Sequence, residues 1–568
     1  MTEGTDCKDH ARFDEALGAL CAAKSAWVKT GLDARIRILG DIKAGTAVLA
    51  EAWAETAARK KLLPEGSPLA AEEWLSGPYG LITACDGLIA TLTQMENRAY
   101  LKDLPKRYLP SGQLGVEVFP ASWRDRLFLS GISAEVWMQK GVSEVNLASH
   151  CAPGYGAPAP GAKVALVLGA GNIASIAPLD CFQKLFQEQQ VVLLKMNPVN
   201  AYLVDFLEIA LAPLIARDAL RIVTGGAEAG RYLTQHPRVD EIHITGSGAT
   251  HDAIVWGSGK AGQAAKAART PKNTRRITSE LGAVCPTIVV PGPWSAQDIR
   301  FQAQHIATQK LHNGGYNCIA CQALILPEDW SERAALMRET KRVLARNTRL
   351  PFYPGTQDRL NAFRAQGETH EIARADAPAL VMGGIGGGKF GSMEVFGPAM
   401  SVHELPGAGA AYLEAAIGFA NAHLHGTLGA NIIIHPKTLR EIGKPAFERL
   451  LGDLRYGIIG VNAWAGVGFL IAQVPWGAFP GHSLDDVQSG IGVVHNSYMF
   501  ERPERTVIYG PFAPFPRSFR LGQRSLLPKP PWFITHRHAH KVAKSFVALA
   551  VRATPRRALA TIFHAMRG

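Results

Sequence analysis

Short apolar runs alternate with helical stretches over residues 163–244, and this alternation constrains the fold more than any other feature. The runs cover residues 163–168, 191–194, 221–224 and 241–244, and residues 176–187 and 202–216 between them have helical spacing. Short apolar strands separated by helices are typical of a parallel sheet covered on both faces. The pattern resumes after residue 280, with runs at 287–290, 323–326, 430–434 and 458–461. The sequence therefore predicts an α/β fold with two Rossmann-like lobes, each built on a parallel sheet.

The rest of the chain divides around these two lobes. Residues 1–110 carry apolar positions at three- and four-residue steps, which predicts a helical N-terminal part. From about residue 112 the pattern changes to short strand-like runs, and a Pro/Gly-rich link follows at 153–161. We place the first lobe at 111–280 and the second lobe at 281–470. A return or oligomerisation segment occupies 471–504, and a basic C-terminal extension occupies 505–568.

The net charge of +12 belongs to this extension. Residues 505–568 hold twelve Lys and Arg and no Asp or Glu, so the first 504 residues are formally neutral. A neutral main body gives no reason to expect a nucleic-acid partner, whereas a basic tail can meet an anionic membrane surface. Residues 540–566 have partly helical spacing, interrupted at Pro555. Two interpretations stay open: a helix packed on the protein or on a sister subunit, and an interfacial helix in contact with a membrane.

The cysteine content and the N-terminus indicate a reduced, cytoplasmic setting, with membrane association through the extension as the alternative. The eight cysteines form no disulfide pattern, and the first residues lack the basic patch and apolar core of a secretory signal. The sequence has no run of 18 or more apolar residues, so no membrane-spanning helix is predicted. Cys318 and Cys321 form a Cys-x-x-Cys without the second pair that a zinc site needs, so no metal is predicted.

A cysteine and a glutamate form the main candidate site. Cys318 follows a glycine-rich turn that begins at Asn313, and Glu280 opens its own Leu-Gly turn 38 residues earlier. A thiol at a chain reversal is accessible to a substrate, and a carboxylate folded beside it can activate water. The pair is the minimum equipment for covalent attack on a carbonyl followed by hydrolysis of the intermediate.

These motifs resemble those of the aldehyde dehydrogenase superfamily. The sequence Asn-x-Gly-x-x-Cys318 is similar to the family's nucleophile motif, and Glu280-Leu-Gly is similar to its general-base motif. The stretch Glu394-Val-Phe396-Gly-Pro is close to the family's Glu-x-Phe-Gly-Pro. The chain departs from the strict patterns in having Tyr316 where the family has Gln, and Ala-Val where Gly-Lys usually follows Leu-Gly.

The resemblance covers about residues 110–490 and implies an aldehyde dehydrogenase-like fold. The first lobe then corresponds to the NAD(P)-binding domain, and the second lobe corresponds to the catalytic thiol domain. The resemblance also implies a homodimer or homotetramer.

The glycine-rich turn of the first lobe admits two interpretations. Residues 164–174 read as a strand followed by Gly-x-Gly-x-x-Ala, a dinucleotide-binding pattern that expects an acidic residue after the next strand. Lys195 is there instead, which would favour a 2′-phosphate. The resemblance gives the interpretation that we prefer, in which Asn172 donates to the substrate oxyanion and Lys195 binds the cofactor ribose. Asn172 is flanked here by Gly171 and Ile173, where the family has Trp and an aromatic residue.

The resemblance further implies a set of residues that bind NAD or NADP. A Thr-Gly-Ser turn would touch the pyrophosphate at a helix N-terminus, and a glutamate and a phenylalanine would hold the nicotinamide end. The implied cofactor set is Lys195, Gly225, Gly246, Ser247, Glu394 and Phe396. The choice between NAD and NADP stays open, because Pro198 stands where a glutamate favouring NAD is common. A Gly- and Lys/Arg-rich segment at 248–279 is interpreted as a solvated basic loop, with contact to a cofactor or coenzyme A phosphate as the alternative.

The predicted function is oxidation of a small-molecule aldehyde to a carboxylic acid with NAD or NADP. Cys318 forms a thiohemiacetal and then a thioacyl intermediate, Asn172 and the Cys318 N–H hold the oxyanion, and Glu280 activates the hydrolytic water. One alternative is an acyl-CoA or fatty acyl reductase, or a CoA-acylating aldehyde dehydrogenase, in which a hydrolytic Glu280 is wasteful. Another is a non-catalytic binding or scaffold relative.

Overall fold

The computed structural model describes residues 3–156, 160–375, 377–383 and 389–568. Its helices are, in chain order, α1 (Glu3–Val28), α2 (Leu32–Lys60), α3 (Ala71–Trp74), α4 (Gly80–Thr93), α5 (Trp123–Phe128), α6 (Ile176–Phe182), α7 (Val204–Ala210), α8 (Ala212–Ile215), α9 (Ala227–Gln235), α10 (Gly248–Val255), α11 (Gly259–Ala267), α12 (Ala296–Leu311), α13 (Arg333–Ala345), α14 (Thr356–Arg364), α15 (Gly409–His423), α16 (Pro436–Ile442), α17 (Lys444–Asp453), α18 (Arg517–Arg520), α19 (Ala539–Val551) and α20 (Pro555–Ala565).

The strands fall into two large sheets and one small one. They are β1 (Lys106–Tyr108), β2 (Leu114–Phe119), β3 (Ser133–Met138), β4 (Val164–Leu168), β5 (Val191–Lys195), β6 (Leu220–Val223), β7 (Glu241–Gly246), β8 (Arg276–Leu281), β9 (Cys285–Val289), β10 (Cys321–Pro327), β11 (Thr369–Arg374), β12 (Ala377–Gly383), β13 (Ala399–Leu405), β14 (Gly429–Ile433), β15 (Ile458–Val461), β16 (Pro475–Gly477), β17 (Gly490–Ile491), β18 (Val493–His495) and β19 (Pro503–Tyr509). The α/β architecture predicted from the alternating runs is thereby confirmed.

The first sheet has six strands in the order β17-β8-β7-β4-β5-β6. Strands β4 to β8 pair in parallel, and β17 closes one edge in the antiparallel direction. Every residue of β4 and β5 is buried, as the unbroken apolar runs require for a sheet covered on both faces. The parallel strands bring the ends of β5, β7 and β8 to one edge of the sheet, where α/β proteins bind ligands.

The second sheet has eleven strands in the order β1-β2-β3-β19-β15-β14-β9-β10-β13-β12-β11. Strands β1, β2 and β3 precede the first lobe in sequence, yet they extend this second sheet because β3 pairs with β19. Residues 106–138, most of them within the predicted first lobe at 111–280, therefore lie on the second sheet. Local patterning does not reveal this pairing, since Met138 and its partner Pro503 are 365 residues apart.

The predicted return segment, 471–504, runs between the two lobes. Strands β16 and β18 pair with each other, β17 joins the first sheet, and β19 begins at the end of the segment and joins the second. One short stretch thus takes part in all three sheets and links the two lobes, with Gly490 of β17 paired to Glu280 near the end of β8.

The C-terminal extension packs on the N-terminal helices. Helix α19 lies against α2, α3 and α4 and buries Val542, Ala543 and Val547, so this helix takes the packed arrangement. Helix α20 packs on α19 and leaves Leu559 and Phe563 exposed. Within the described residues, every helix is either too short or too polar to cross a membrane.

Candidate active site

The turn before Cys318 has a backbone that only certain residues adopt. Helix α12 ends at Leu311, and the next turn places Asn313, Gly314 and Gly315 at φ values of 54°, 69° and 85°. A β-carbon on Gly315 would lie 2.7 Å from the carbonyl oxygen of Gly397, so glycine is required there on two counts. The turn leads the chain from α12 towards β10 and presents the Cys318 thiol beside the end of β8.

The structure brings Cys318 and Glu280 together. The Cys318 thiol donates to Glu280 Oε1 over 3.6 Å, and Trp476 Nε1 donates to the same oxygen over 2.7 Å. The second oxygen, Oε2, is buried and has no hydrogen-bond partner among the described residues. Burial, reinforced by the nearby carboxylate of Asp180, raises the pKa of Glu280 to about 8. Burial and the neighbouring Glu280 raise the pKa of Cys318 well above its ordinary value, so the resting site holds a thiol.

Asn172 lies against the same turn, directly after β4. Its Nδ2 donates to the carbonyl oxygen of Tyr316 over 3.2 Å, which uses one of its two hydrogens. Its own carbonyl oxygen accepts from Lys61 Nζ (2.8 Å) and from Asn313 Nδ2 (3.0 Å). The predicted oxyanion donor is thus held beside the nucleophile at both its backbone and its side chain.

A cavity of about 1070 Å³ opens at the carboxyl ends of the first sheet and reaches the thiol. Eight of the nine predicted site residues line it: Asn172, Lys195, Gly246, Ser247, Glu280, Cys318, Glu394 and Phe396. Gly225, the ninth predicted residue, does not line the cavity, whereas its neighbour Gly226 does. A β-carbon on Gly225 would lie 2.5 Å from that of Ala229, so Gly225 is required for packing rather than for contact with the cavity.

The residues around this cavity fit a nicotinamide dinucleotide. Helices α9 and α10 begin beside it, and helix N-termini attract phosphate groups. The volume suits a ligand of that size. At the thiol end, Glu394 carries a buried Oε1 without a hydrogen-bond partner in the described part of the chain, and burial raises its pKa to about 8. An unpartnered buried carboxylate is costly alone and would be satisfied by a ligand hydroxyl.

The cavity is cationic away from the thiol. Arg231, Lys272 and Arg275 line it together with Lys195, whereas its only lining carboxylates in the described residues are Glu280 and Glu394 at the thiol end. The segment 248–279, predicted as a solvated basic loop, is therefore neither entirely a loop nor entirely in solvent. It contains helix α11, and two of its basic residues reach the cavity. Others pair with acids, such as Lys266 with Asp252 at 2.7 Å.

Comparisons with known proteins agree with this architecture. The model of the aldehyde dehydrogenase family matches residues 192–357. The chain is 32% identical over 140 residues to an aldehyde dehydrogenase of Enchytraeus buchholzi, covering 24% of this chain and 25% of that one. It is 29% identical over 116 residues to a D-glyceraldehyde dehydrogenase (NADP(+)) of Picrophilus torridus, covering 20% of each. The crystal structure of an NAD-dependent aldehyde dehydrogenase from Sinorhizobium meliloti superposes with a TM-score of 0.56 at 18% identity, over 87% and 85% of the two chains.

The chain is a divergent relative of the aldehyde dehydrogenase family, whose model matches residues 192–357. It spans about a fifth to a half of the length of the curated relatives that it matches. The fold extends further than the sequence similarity, because the structural match covers most of both chains.

A cluster of four charges lies behind the nucleophile turn, and no sequence motif indicates it. Lys61, Glu72 and Glu73 come from the N-terminal part, Arg349 follows α13, and each is at most 4% exposed. Lys61 Nζ lies 2.9 Å from Glu73, and Arg349 pairs with Glu72. We call these four residues the buried charge cluster. Charged residues usually lie in solvent, so no local pattern distinguishes these four as buried.

The buried charge cluster holds the turn through Asn313. The backbone N–H of Asn313 donates to Glu72 Oε2 over 3.0 Å. Its side-chain oxygen accepts from Lys61 and Arg349, both over 3.2 Å. Because its amide nitrogen also donates to the carbonyl of Asn172, Asn313 connects the cluster to the candidate oxyanion site.

Trp476 and Asp180 are two further residues whose roles the sequence did not reveal. Trp476 is in the Pro-aromatic-Gly stretch of β16, and its hydrogen bond orients Glu280. Asp180 on α6 is 1% exposed and accepts from the hydroxyl of Thr245 over 2.8 Å. Cys321 is buried in β10, and the described residues contain no cluster of three or more His, Cys, Asp or Glu suited to a metal ion.

Proposed function

We propose that this chain oxidises an aldehyde to a carboxylic acid with NAD or NADP. The observation that carries the proposal is the Cys318 thiol, 3.6 Å from the Glu280 carboxylate at the end of a dinucleotide-sized cavity. Thiol and carboxylate in hydrogen-bond contact are the equipment of a covalent mechanism with a hydrolytic second half.

The first half of the reaction rests on Cys318 and Asn172. Cys318 Sγ attacks the carbonyl carbon, and the thiol proton passes to Glu280 Oε1, the acceptor already in contact with it. The second hydrogen of Asn172 Nδ2 and the Cys318 N–H stabilise the resulting oxyanion. A bound NAD+ or NADP+ supplies the hydride acceptor, with Lys195, Gly246, Ser247, Glu394 and Phe396 as the residues that hold it.

The second half rests on Glu280. Glu280 first releases the thiol proton to solvent, and its carboxylate, oriented by Trp476, then takes a proton from water while the water oxygen attacks the thioacyl carbon. That proton passes from Glu280 to the departing Cys318 thiolate. The acid leaves and the Cys318 thiol is restored, so the carboxylate serves each half-reaction in turn. A raised pKa suits this role, because an acceptor with a pKa near the working pH exchanges protons most efficiently.

Replacement of the nucleophile tests the proposal most directly. Cys318→Ala should abolish nicotinamide reduction with every aldehyde, while Cys321→Ala, three residues away and outside the cavity lining, should retain it. Glu280→Gln should slow acid release while leaving a single turnover of nicotinamide reduction measurable by rapid mixing at high pH. Activity of Cys318→Ala equal to that of Cys321→Ala would contradict the mechanism.

The acylating or reductive alternative has one observation in its favour, the cationic lining at Arg231, Lys272 and Arg275. That lining also suits the dinucleotide alone. The buried Glu280 with its Trp476 donor favours hydrolysis, since a base aimed at the thioacyl group competes with transfer to coenzyme A. Initial rates with and without coenzyme A separate the two: dependence on coenzyme A would move the assignment to the acylating branch, and no turnover in either would favour a non-catalytic relative.

We infer a preference for NADP over NAD from the same lining. A 2′-phosphate adds two negative charges, and Lys195, Arg231, Lys272 and Arg275 line the cavity away from its carboxylates. The NADP(+) in the name of the Picrophilus torridus relative is consistent with this preference. The ratio of kcat/KM with NADP to kcat/KM with NAD should fall in Lys272→Gln. It should stay unchanged in Lys260→Gln, because the Lys260 side chain is outside the cavity lining. Equal kcat/KM values for NAD and NADP in the wild type would refute it.

We also propose that α20 contacts an anionic membrane surface. Leu559 and Phe563 on this helix and Met566 just after its end are exposed, 68%, 57% and 54% respectively, and Arg556 and Arg557 lie in the first turn. An exposed apolar stripe flanked by cations is typical of an interfacial helix. Phe563→Ser with Arg556→Gln should reduce co-sedimentation with vesicles of anionic lipid, and equal binding of the variant would rule α20 out. The homodimer or homotetramer and the cytoplasmic setting stay predictions, and light scattering tests the first.

A further inference from the structure

A second, much smaller cavity also reaches the thiol. It has a volume of about 30 Å³, and both Cys318 and Glu280 line it. Most of its wall is apolar and aromatic, with Ile173, Trp464 and Trp476 close to the reacting pair. A space of this size holds roughly two water-sized groups. Since the larger cavity suits the dinucleotide, the small cavity is where the side chain of an aldehyde bound at Cys318 would lie.

One wall of this small cavity comes from the basic C-terminal extension. Trp532 lines it and is 6% exposed. The residues after Trp532 are fixed on α12, the helix that leads to the nucleophile turn. Phe533 stacks on Phe301 at a ring distance of 5.3 Å, and the N–H of Ile534 donates to Thr308 Oγ1 over 3.2 Å. The indole is therefore held in place by the same helix that positions the thiol.

A third cavity also borders the Trp532 indole. It has a volume of about 20 Å³ and an apolar lining that includes Ile132, Leu527 and several prolines of the extension. Trp464 and Trp532 line both this cavity and the small cavity at the thiol. Because Trp532 borders both apolar spaces, its removal would open them towards each other and lengthen the pocket at the thiol.

The lack of cationic residues in the described lining of the small cavity limits the range of possible substrates further. Among the described residues it contains no Lys or Arg, and its single carboxylate is the base Glu280. An aldehyde that carries its own carboxylate would be buried there without a counter-charge, which is strongly unfavourable. An uncharged aliphatic side chain matches the lining.

We propose that Trp532 is the specificity-determining residue of this enzyme and that it restricts the substrate to short, uncharged aliphatic aldehydes. This inference rests on the proposed function, since it assigns the substrate of the same Cys318 site. The extension supplies the end wall of the acyl pocket, so it determines chain length. Each additional methylene that does not fit must displace the wall, which should lower kcat/KM by a factor of roughly 10.

The test is the dependence of kcat/KM on chain length for straight-chain aldehydes from acetaldehyde to decanal. The wild type should prefer acetaldehyde and propanal, with kcat/KM falling steadily for longer chains. Trp532→Ala should raise the ratio of kcat/KM for octanal over acetaldehyde at least tenfold, and Trp532→Phe should give an intermediate change. Phe519→Ala is the matched control, because Phe519 is an aromatic residue of the same extension that is 52% exposed and lines neither cavity.

Two outcomes would overturn the inference: a wild type that prefers octanal, or a chain-length profile of Trp532→Ala that matches Phe519→Ala. Thermal melting identifies a Trp532→Ala protein that has not folded, in which case Trp532→Phe decides. If the wild type oxidises no aldehyde at all, the proposed function fails separately. Trp532 is then tested by the rates at which short and long alkyl iodoacetamides label Cys318, followed by peptide mass spectrometry. If wild type and the Trp532 variant show the same ratio of short-chain to long-chain labelling rates, Trp532 does not form the end wall of the pocket.

Discussion

Replacement of Lys61 by methionine perturbs the buried charge cluster at its most connected member. Lys61 Nζ contacts Glu73 at 2.9 Å, the Asn172 carbonyl at 2.8 Å and the Asn313 side-chain oxygen at 3.2 Å. The cluster is formally neutral, with Lys61 and Arg349 against two glutamates. Methionine keeps the apolar stem of the side chain but leaves the cluster with one uncompensated negative charge in the interior.

The size of the effect follows from those contacts. Loss of one partner from a buried ion pair costs about 3–5 kcal/mol, and each of the two other hydrogen bonds contributes roughly 1 kcal/mol. Arg349, 3.6 Å from Glu73, offsets part of the loss. We therefore expect Lys61→Met to lower the free energy of unfolding by about 4–6 kcal/mol. Because Asn172 and Asn313 lose an anchor, the rate at saturating aldehyde should also fall, by roughly 10- to 100-fold.

Urea unfolding followed by tryptophan fluorescence measures the first effect, and initial rates of nicotinamide reduction measure the second. Lys60→Met is the matched control, since Lys60 is the exposed neighbour of Lys61 on the same helix end. The double variant Lys61→Met with Glu73→Gln restores neutrality and should recover about 2 kcal/mol or more of the stability. If Lys61→Met is as stable and as active as Lys60→Met, the cluster does not support the turn.

Three further predictions concern the protonation of Glu280. Because burial and Asp180 raise its pKa to about 8 and the carboxylate must accept a proton, kcat/KM should fall as pH drops through about 8; a flat profile from pH 6 to pH 9 would contradict this. Asp180→Asn removes the neighbouring charge and should move the midpoint of that profile to lower pH, whereas an unchanged midpoint would show that Asp180 acts only in packing. The raised pKa of Glu280 in the folded protein contributes stability that is present below its ordinary pKa of 4.5 and is lost as pH rises through about 8. Between pH 4 and pH 9, Glu280→Gln should therefore gain on the order of 4 kcal/mol of unfolding free energy relative to wild type, measured by urea unfolding; a constant difference would refute the linkage.

The local sequence pattern predicted those elements whose conformation depends on residues close together in the sequence. The buried strands β4 and β5 follow from unbroken apolar runs. The nucleophile turn follows from Gly314 and Gly315, which adopt positive φ without strain. The proximity of Cys318 and Glu280 was inferred from motif order alone, and β8 and the turn bring them to 3.6 Å.

The features that sequence did not reveal depend on distant pairing. Lys61 and Arg349 are 288 positions apart in the chain, and neither sits in a pattern that distinguishes a buried charge from a solvated one. Trp532 lies in a proline-rich stretch without periodicity, and only the packing of Phe533 on α12 shows where its indole points. Gly225 fits the same explanation, since its place beside Ala229 rather than in the cavity depends on how the following helix packs.

The pairing of β3 with β19 has a consequence for the order in which a ribosome-bound chain can fold. The hairpin β2–β3 emerges early, but its neighbour in the sheet is made 365 residues later, from Met138 to Pro503. At roughly 5–20 residues per second, synthesis of that stretch takes about 20–70 s, during which one edge of the hairpin has no strand beside it. An unpaired edge is a template for aggregation, so the nascent chain should depend on chaperones until its last strand is released.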